Sequence, residues 1–205
     1  MKLGLLILVS SLFILGTELL KRKFSLPVAF TRRVIHVGTA IVAGVAPLFA
    51  TREQIILVSI IFTIVLFFGR IYHLFLAIHS VERHTFGEIF LPLGVVVTAF
   101  FFLPHNILAF QFGIFVMGIS DGFAGLIGEG FGKNYFKLLN SRKSVEGTCT
   151  FFATSLILTF LFVSDFDYRI LAIPFILTTT EFFLKYGLDN LVLPILGAYL
   201  MHFLI

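Results

Sequence analysis

A chain of 205 residues, 59% hydrophobic and only 13% charged, with a mean hydropathy of +1.06, is too apolar for a water-soluble fold. A soluble enzyme is excluded on that ground. The net charge of +4 and pI near 9.4 are accounted for by cationic loops flanking membrane segments, and no soluble basic domain or aromatic platform is present to hold nucleic acid.

Apolar stretches of about 15–20 residues between polar breaks suit helices crossing roughly 30 Å of hydrocarbon, and the alternation of a barrel strand is absent. The fold class is therefore all-α: a polytopic bundle of about eight transmembrane helices, near 3–20, 34–50, 54–70, 88–104, 107–128, 145–164, 168–185 and 190–205. The first segment has no small-x-small cleavage site, and Glu18 with Lys21, Arg22 and Lys23 reads as the end of a retained helix. The loops at 21–33, 70–87, 129–144 and 185–190 hold 12 of the 15 Lys and Arg; only Lys2, Arg52 and Arg169 fall on the other side. By the positive-inside rule the first set faces the cytoplasm and both termini lie outside.

Nearly every other unusual polar residue gathers at the same end, among them His73, His79, His84 and Glu88, whereas the opposite loops are short and bland. Function is expected on one face, with polar groups too shallow for a transporter path. No internal repeat or linker is visible, so residues 1–205 read as one integral membrane domain. Cys149 is alone and forms no internal disulfide.

The chemistry centres on 118–148. Gly118, Asp121, Gly125, Gly128 and Gly132 step by three, four, three and four, which lines them up as a bare helix face bearing one carboxylate. Such a face suits either close helix packing, within one chain or in a homodimer, or the close approach of a ligand. Packing does not explain Asp121, because a carboxylate at membrane depth needs a partner; Mg²⁺ ligation fits, since that ion takes one or two carboxylates plus substrate phosphates. Lys143-Ser144 precedes a helix start, where free N–H groups favour an anion; Ser144 as N-cap with Glu146 in the first turn is the plainer alternative. Lys133, Lys137, Arg142 and Lys143 also fit the role of topogenic charges, Lys143 being set apart by its place before the helix.

Thr85-x-x-Glu88 has the form of a capping box, with Arg83 beside it as a phosphate clamp. His36, one turn inside the second helix, is a packing or a pocket residue. Glu181 and Lys185 are spaced for an intrahelical ion pair, yet Glu181 also lies near Asp189-Asn190, which offers an N-cap or metal-ligand oxygens.

Taken together, Ser120-Asp121-x-x-Ala124-x-x-x-Gly128-x-x-x-Gly132-Lys133, Lys143-Ser144-x-Glu146-Gly147-Thr148 and Asp189-Asn190-Leu-x-x-Pro194 resemble the CTP-dependent lipid kinases, which include dolichol kinase, phytol kinase and the yeast-type diacylglycerol kinase. Arg32-Arg33-x-x-His36 and Arg83-x-x-x-Gly87-Glu88 look like that family's upstream positions, and the likeness spans about residues 18–195. It implies transfer of the CTP γ-phosphoryl group, with a divalent cation, to a membrane lipid alcohol at the cytoplasmic face. The CDP-diacylglycerol synthases share part of the pattern, which leaves a cytidylyltransferase as the alternative; the absence of their proline in Asn140-Ser-Arg-Lys-Ser-Val-Glu-Gly favours the kinase. The short chain suits a prokaryotic plasma-membrane member.

On the resemblance, Asp121 with Glu146 or Asp189 would hold Mg²⁺, while Lys143, Lys133 and Arg83 would neutralise the triphosphate. Glu181 would be the general base. Gly125, Gly128, Gly132, Ser144, Gly147, Thr148 and Asn190 would border the nucleotide, and Arg33, His36 and Glu88 the pocket that takes the lipid head.

Overall fold

The computed structural model describes residues 2–72, 74, 85–138, 141–163 and 168–204. Its helices are α1 (Lys2–Phe24), α2 (Val28–Val45), α3 (Arg52–Ile71), α4 (Gly87–Phe102), α5 (Ile107–Phe115), α6 (Asp121–Phe131), α7 (Val145–Phe162), α8 (Ala172–Phe183) and α9 (Asp189–Leu204). A π-helical turn, Val116–Ser120, joins α5 to α6, so Ile107–Phe131 runs on as one span. This span, expected to stop near 128, continues to Phe131.

Caps set several of these boundaries. The Thr51 hydroxyl accepts from the Gln54 N–H while the Gln54 side chain reaches back to the Thr51 N–H, a complete capping box that starts α3 two residues earlier than its apolar run. Asn106 Oδ1 accepts from Ala109 N–H at 2.9 Å to open α5, and Ser144 Oγ accepts from Gly147 N–H at 3.1 Å to open α7. The residues before α8, Tyr168–Leu171, form a 3₁₀ turn.

Val28–Leu48, Arg52–Ile71, Ile107–Phe131 and Val145–Phe162 are long and apolar enough to cross a membrane. Their neighbours leave whole rows of large side chains uncovered, Leu57, Ile60, Ile64 and Phe67 on α3 among them, which only a lipid solvent tolerates. This is an all-α membrane protein.

The buried centre is α5. Phe110, Phe112 and Ile114 are fully enclosed there, as is Met117 in the π turn that follows, and a side chain at Gly113 would run into the backbone of α9 at Pro194 and Ala198. On its other flank α9 packs against α4, with Gly94 admitting the Asn190 backbone and Pro194. Two further pairs, α1 with α2 and α3 with α4, complete the side that matters for the site.

The segment 129–144, expected as a loop, contains a hairpin, β1 (Tyr135–Leu138) on β2 (Ser141–Ser144), in the register Tyr135↔Ser144 to Leu138↔Ser141. Four-residue strands carry too little alternation to stand out in sequence. The hairpin leads straight into α7, and Val145 N–H closes it on Asn134 O at 2.9 Å.

Candidate active site

One cavity of about 1340 Å³ collects the polar side chains at the ends of α2, α4, α6, α7, α8 and α9. Short connections put these ends together. The first turns of α4, α7 and α9 border it with Gly87, Ser144 and Asp189, so the positive ends of helix dipoles face this side.

Asp121 opens α6 where the π turn ends, and it is 6% exposed. Arg33 of α2 donates from Nη1 to its Oδ2 at 3.2 Å and from Nη2 to Glu129 Oε1 at 3.2 Å. Arg32 adds a looser contact to Glu129 at 3.8 Å. His36, one turn further along α2, donates from Nε2 to the Met117 carbonyl within the π turn at 2.9 Å, with the same nitrogen 3.5 Å from Asp121 Oδ2. Because a carbonyl only accepts, Nε2 carries the proton. An arginine and a histidine from one helix thus fix the only carboxylate of the glycine face in place, at a turn of the kind that often marks functional sites.

The glycine face itself meets protein. A side chain at Gly118 would strike Ala40, at Gly122 Val37, and at Gly125 the Arg33 guanidinium. At Gly128 it would meet Ser144 Oγ and Gly147, and at Gly132 the Gly128 carbonyl, Ser144 and the Tyr135 hydroxyl. Of the two alternatives, helix packing is seen on the first half of the stripe, where α2 lies against it; Gly125 and Gly128 also border the cavity. Gly125 is small so that Arg33 can lie across the helix and reach both Asp121 and Glu129.

Facing them, Lys143 at the end of β2 donates to the Glu181 carboxylate and to the Glu181 carbonyl on α8. The helix α8 stops at Phe183, so Lys185 no longer shares a helix with Glu181, and the ammonium beside Glu181 is that of Lys143. Glu181 Oε2 is buried without a hydrogen-bond partner, as is Asn190 Oδ1. Asn190 Nδ2 donates to Gly87 O at 2.8 Å, which ties α9 to the start of α4, and Asp189 Oδ1 accepts from Asn190 N–H at 3.0 Å. Asp189 lies within electrostatic reach of Asp121, Lys143, Glu181 and Arg33.

A phytol kinase from Synechocystis sp. is 31% identical to this chain over 208 residues, an alignment covering 90% of this chain and 83% of that protein. The chain belongs to the phytol kinase family. No family model and no solved structure matches it.

Of the residues expected at the site in this family member, Asp121, Lys143, Glu181, Asp189 and Asn190 share the cavity with Arg33, His36, Glu88, Gly125, Gly128, Ser144, Gly147 and Thr148. Glu146, Lys133 and Gly132 do not line it. Glu146 Oε1 instead accepts from Lys133 N–H at 3.1 Å, Asn134 N–H at 3.3 Å and Asn134 Nδ2 at 3.3 Å, holding the turn before the hairpin, although its Oε2 is buried and unpaired. Glu146 Oε1 is thus held on the turn and not in the cavity: a first-turn carboxylate is met by the nearest N–H groups. Thr85-x-x-Glu88 forms no capping box either. Phe86 is the N-cap residue, and Glu88 pairs with Arg70, whose guanidinium also donates to Thr85 O and lies 4.5 Å from the Phe86 ring centroid. Arg83 lies outside the described residues.

Glu129 is the participant that sequence spacing misses. Its only signal is a carboxylate set between Gly128 and Gly130 on a membrane helix, which demands a cation. Among the described residues no three of His, Cys, Asp and Glu close around one point. The hard oxygens of Asp121 and Asp189, with the unpaired Asn190 Oδ1, nevertheless fit a divalent cation that draws its remaining ligands from phosphate.

Proposed function

We propose that this protein phosphorylates the hydroxyl of a membrane lipid alcohol, using CTP and a divalent cation at the cytoplasmic face. The observation that carries it is one cavity that brings Asp121, Lys143, Glu181 and Asp189 to its polar end and continues between helices as an apolar cleft. The kinship with a phytol kinase supports the reaction class. The motif resemblance supports CTP as donor, and the cationic loops support a cytoplasmic site in an eight-span, prokaryotic plasma-membrane protein with both ends outside.

In this reading Asp121 and Asp189 would hold the cation, which would supply charge neutralisation for the triphosphate. Lys143 leaves Glu181 for the phosphate oxygens. Arg33 keeps Asp121 oriented and Glu129 anchors Arg33, while the positive dipole end at the start of α7 faces the phosphate oxygens. The lipid oxygen attacks the γ-phosphorus, the bond from that phosphorus to the β,γ-bridging oxygen breaks, and CDP departs with the bridging oxygen. The hydroxyl proton passes to Glu181, whose Oε2 has no partner to displace.

The test supplies membranes containing the protein with CTP labelled at the γ or at the α position and a panel of lipid alcohols. Label in the lipid from the γ position only is the expected result. Label from the α position means a cytidylyltransferase and overturns the kinase reading.

A further inference from the structure

Beyond its polar end the cavity continues as an apolar arm between α1, α2, α3 and α4. The short connections at Ser25–Pro27 and Ala46–Thr51 make these helices alternate in direction, so their lining residues sort by depth. Nearest the charged groups stand Ile14, Ile35, Phe62, Leu66 and Leu91. A middle layer is made of small side chains, Ser10, Thr39, Val58, Ser59 and Val95, and the far layer is Leu6, Ala43 and Ile55.

This arm is not the outer surface of the bundle. Leu6, Ile55, Val58 and Val95 line it, yet each is no more than 4% exposed, while Leu57, Ile60 and Ile64 on the opposite face of α3 are at least 40% exposed. Its inner stripe on α3, Ile55, Val58, Ser59, Phe62 and Leu66, has helical spacing and borders the cavity.

We infer that this arm takes up the hydrocarbon tail of a single-chain alcohol and that its depth sets which tail lengths are phosphorylated. The inference rests on the lipid-kinase reading above. The occupant is argued from continuity: a chain whose hydroxyl sits beside Glu181 and Asp121 has its tail directed into the arm. The dimensions agree. Arg33 to Ala43 is ten residues of α2, about 15 Å of rise, and an extended chain advancing roughly 1.1–1.2 Å per bond fills that with about 13 atoms. Leu66 to Ser59 is seven residues, about 10 Å, or roughly nine atoms.

Two positions therefore act as stops at different depths. Ser59→Phe closes the middle layer and Ala43→Phe the far one. Geraniol, farnesol and geranylgeraniol, with roughly 8, 12 and 16 main-chain carbons against these depths, are the acceptors to compare. Ser59→Phe is expected to raise KM for farnesol and geranylgeraniol by about tenfold or more and to leave geraniol within about twofold. Ala43→Phe is expected to do so for geranylgeraniol alone. Displacement of a spin-labelled fatty alcohol by the same three compounds, without nucleotide, should follow the same order, and Leu at either position gives a weaker version if a Phe variant does not fold. Equal effects on all three acceptors, or none, overturn the inference even if transfer is intact. Graded displacement without any phosphorylation would instead retain the arm and remove the kinase reading.

Discussion

The two ends of the cavity are built on opposite principles. At the polar end nearly every side chain is fixed by a partner from another helix: Arg33 on Asp121 and Glu129, His36 on Met117 O, Lys143 on Glu181, Asn190 on Gly87 O. In the apolar arm the walls are held only by packing behind them, and small residues keep its middle open. Pairing fixes geometry, which phosphoryl transfer needs; packing gives a volume, which a flexible tail needs. Chemistry and choice of substrate should accordingly separate under mutation.

The largest effect is expected for Asp121→Asn. Transfer should fall by about a thousandfold or more while thermal unfolding in detergent stays near that of the native protein, because the amide keeps the shape and loses the charge for the cation. An active variant would remove Asp121 from the cation's ligands. Glu181→Gln should lower kcat by about 10²–10⁴ with every acceptor alike, and combining it with Lys143→Met should cost far less than the product of the two, since the pair acts as a unit. A chain-length-dependent loss would break the separation of the two ends.

Arg33→Lys should reduce turnover by roughly ten- to a hundredfold, because one ammonium cannot span Asp121 and Glu129 as the guanidinium fork does. Gly125→Ala should give a similar loss by pushing on that guanidinium, and a native-like Gly125→Ala enzyme would show that Arg33 has room to move. The smallest effect belongs to Glu146→Gln, which loosens the Lys133–Asn134 turn. It should lower the midpoint of thermal unfolding and reduce turnover by less than about tenfold. A loss as deep as that of Asp121→Asn would return Glu146 to the reacting centre.

The sequence by itself determined the membrane class, the helical content and most helix positions, because apolar run length, periodicity and caps such as Ser144 act within a few residues. The family resemblance was legible there too, in Asp121, Lys143, Ser144 and Asp189, whose spacing along the chain is fixed whatever they touch. Only the tertiary structure decided their partners. Glu181 meets Lys143 across 38 residues and Arg33 meets Asp121 across 88, and the choice between Lys185 and Lys143 rests on where α8 ends. Glu146 turned to nearby N–H groups for the same reason that its place in a first turn is visible in sequence: local donors reach it before distant carboxylates do. The apolar arm was beyond sequence altogether, since Ser59 and Ala43 become positions of consequence only when four helices leave space between them.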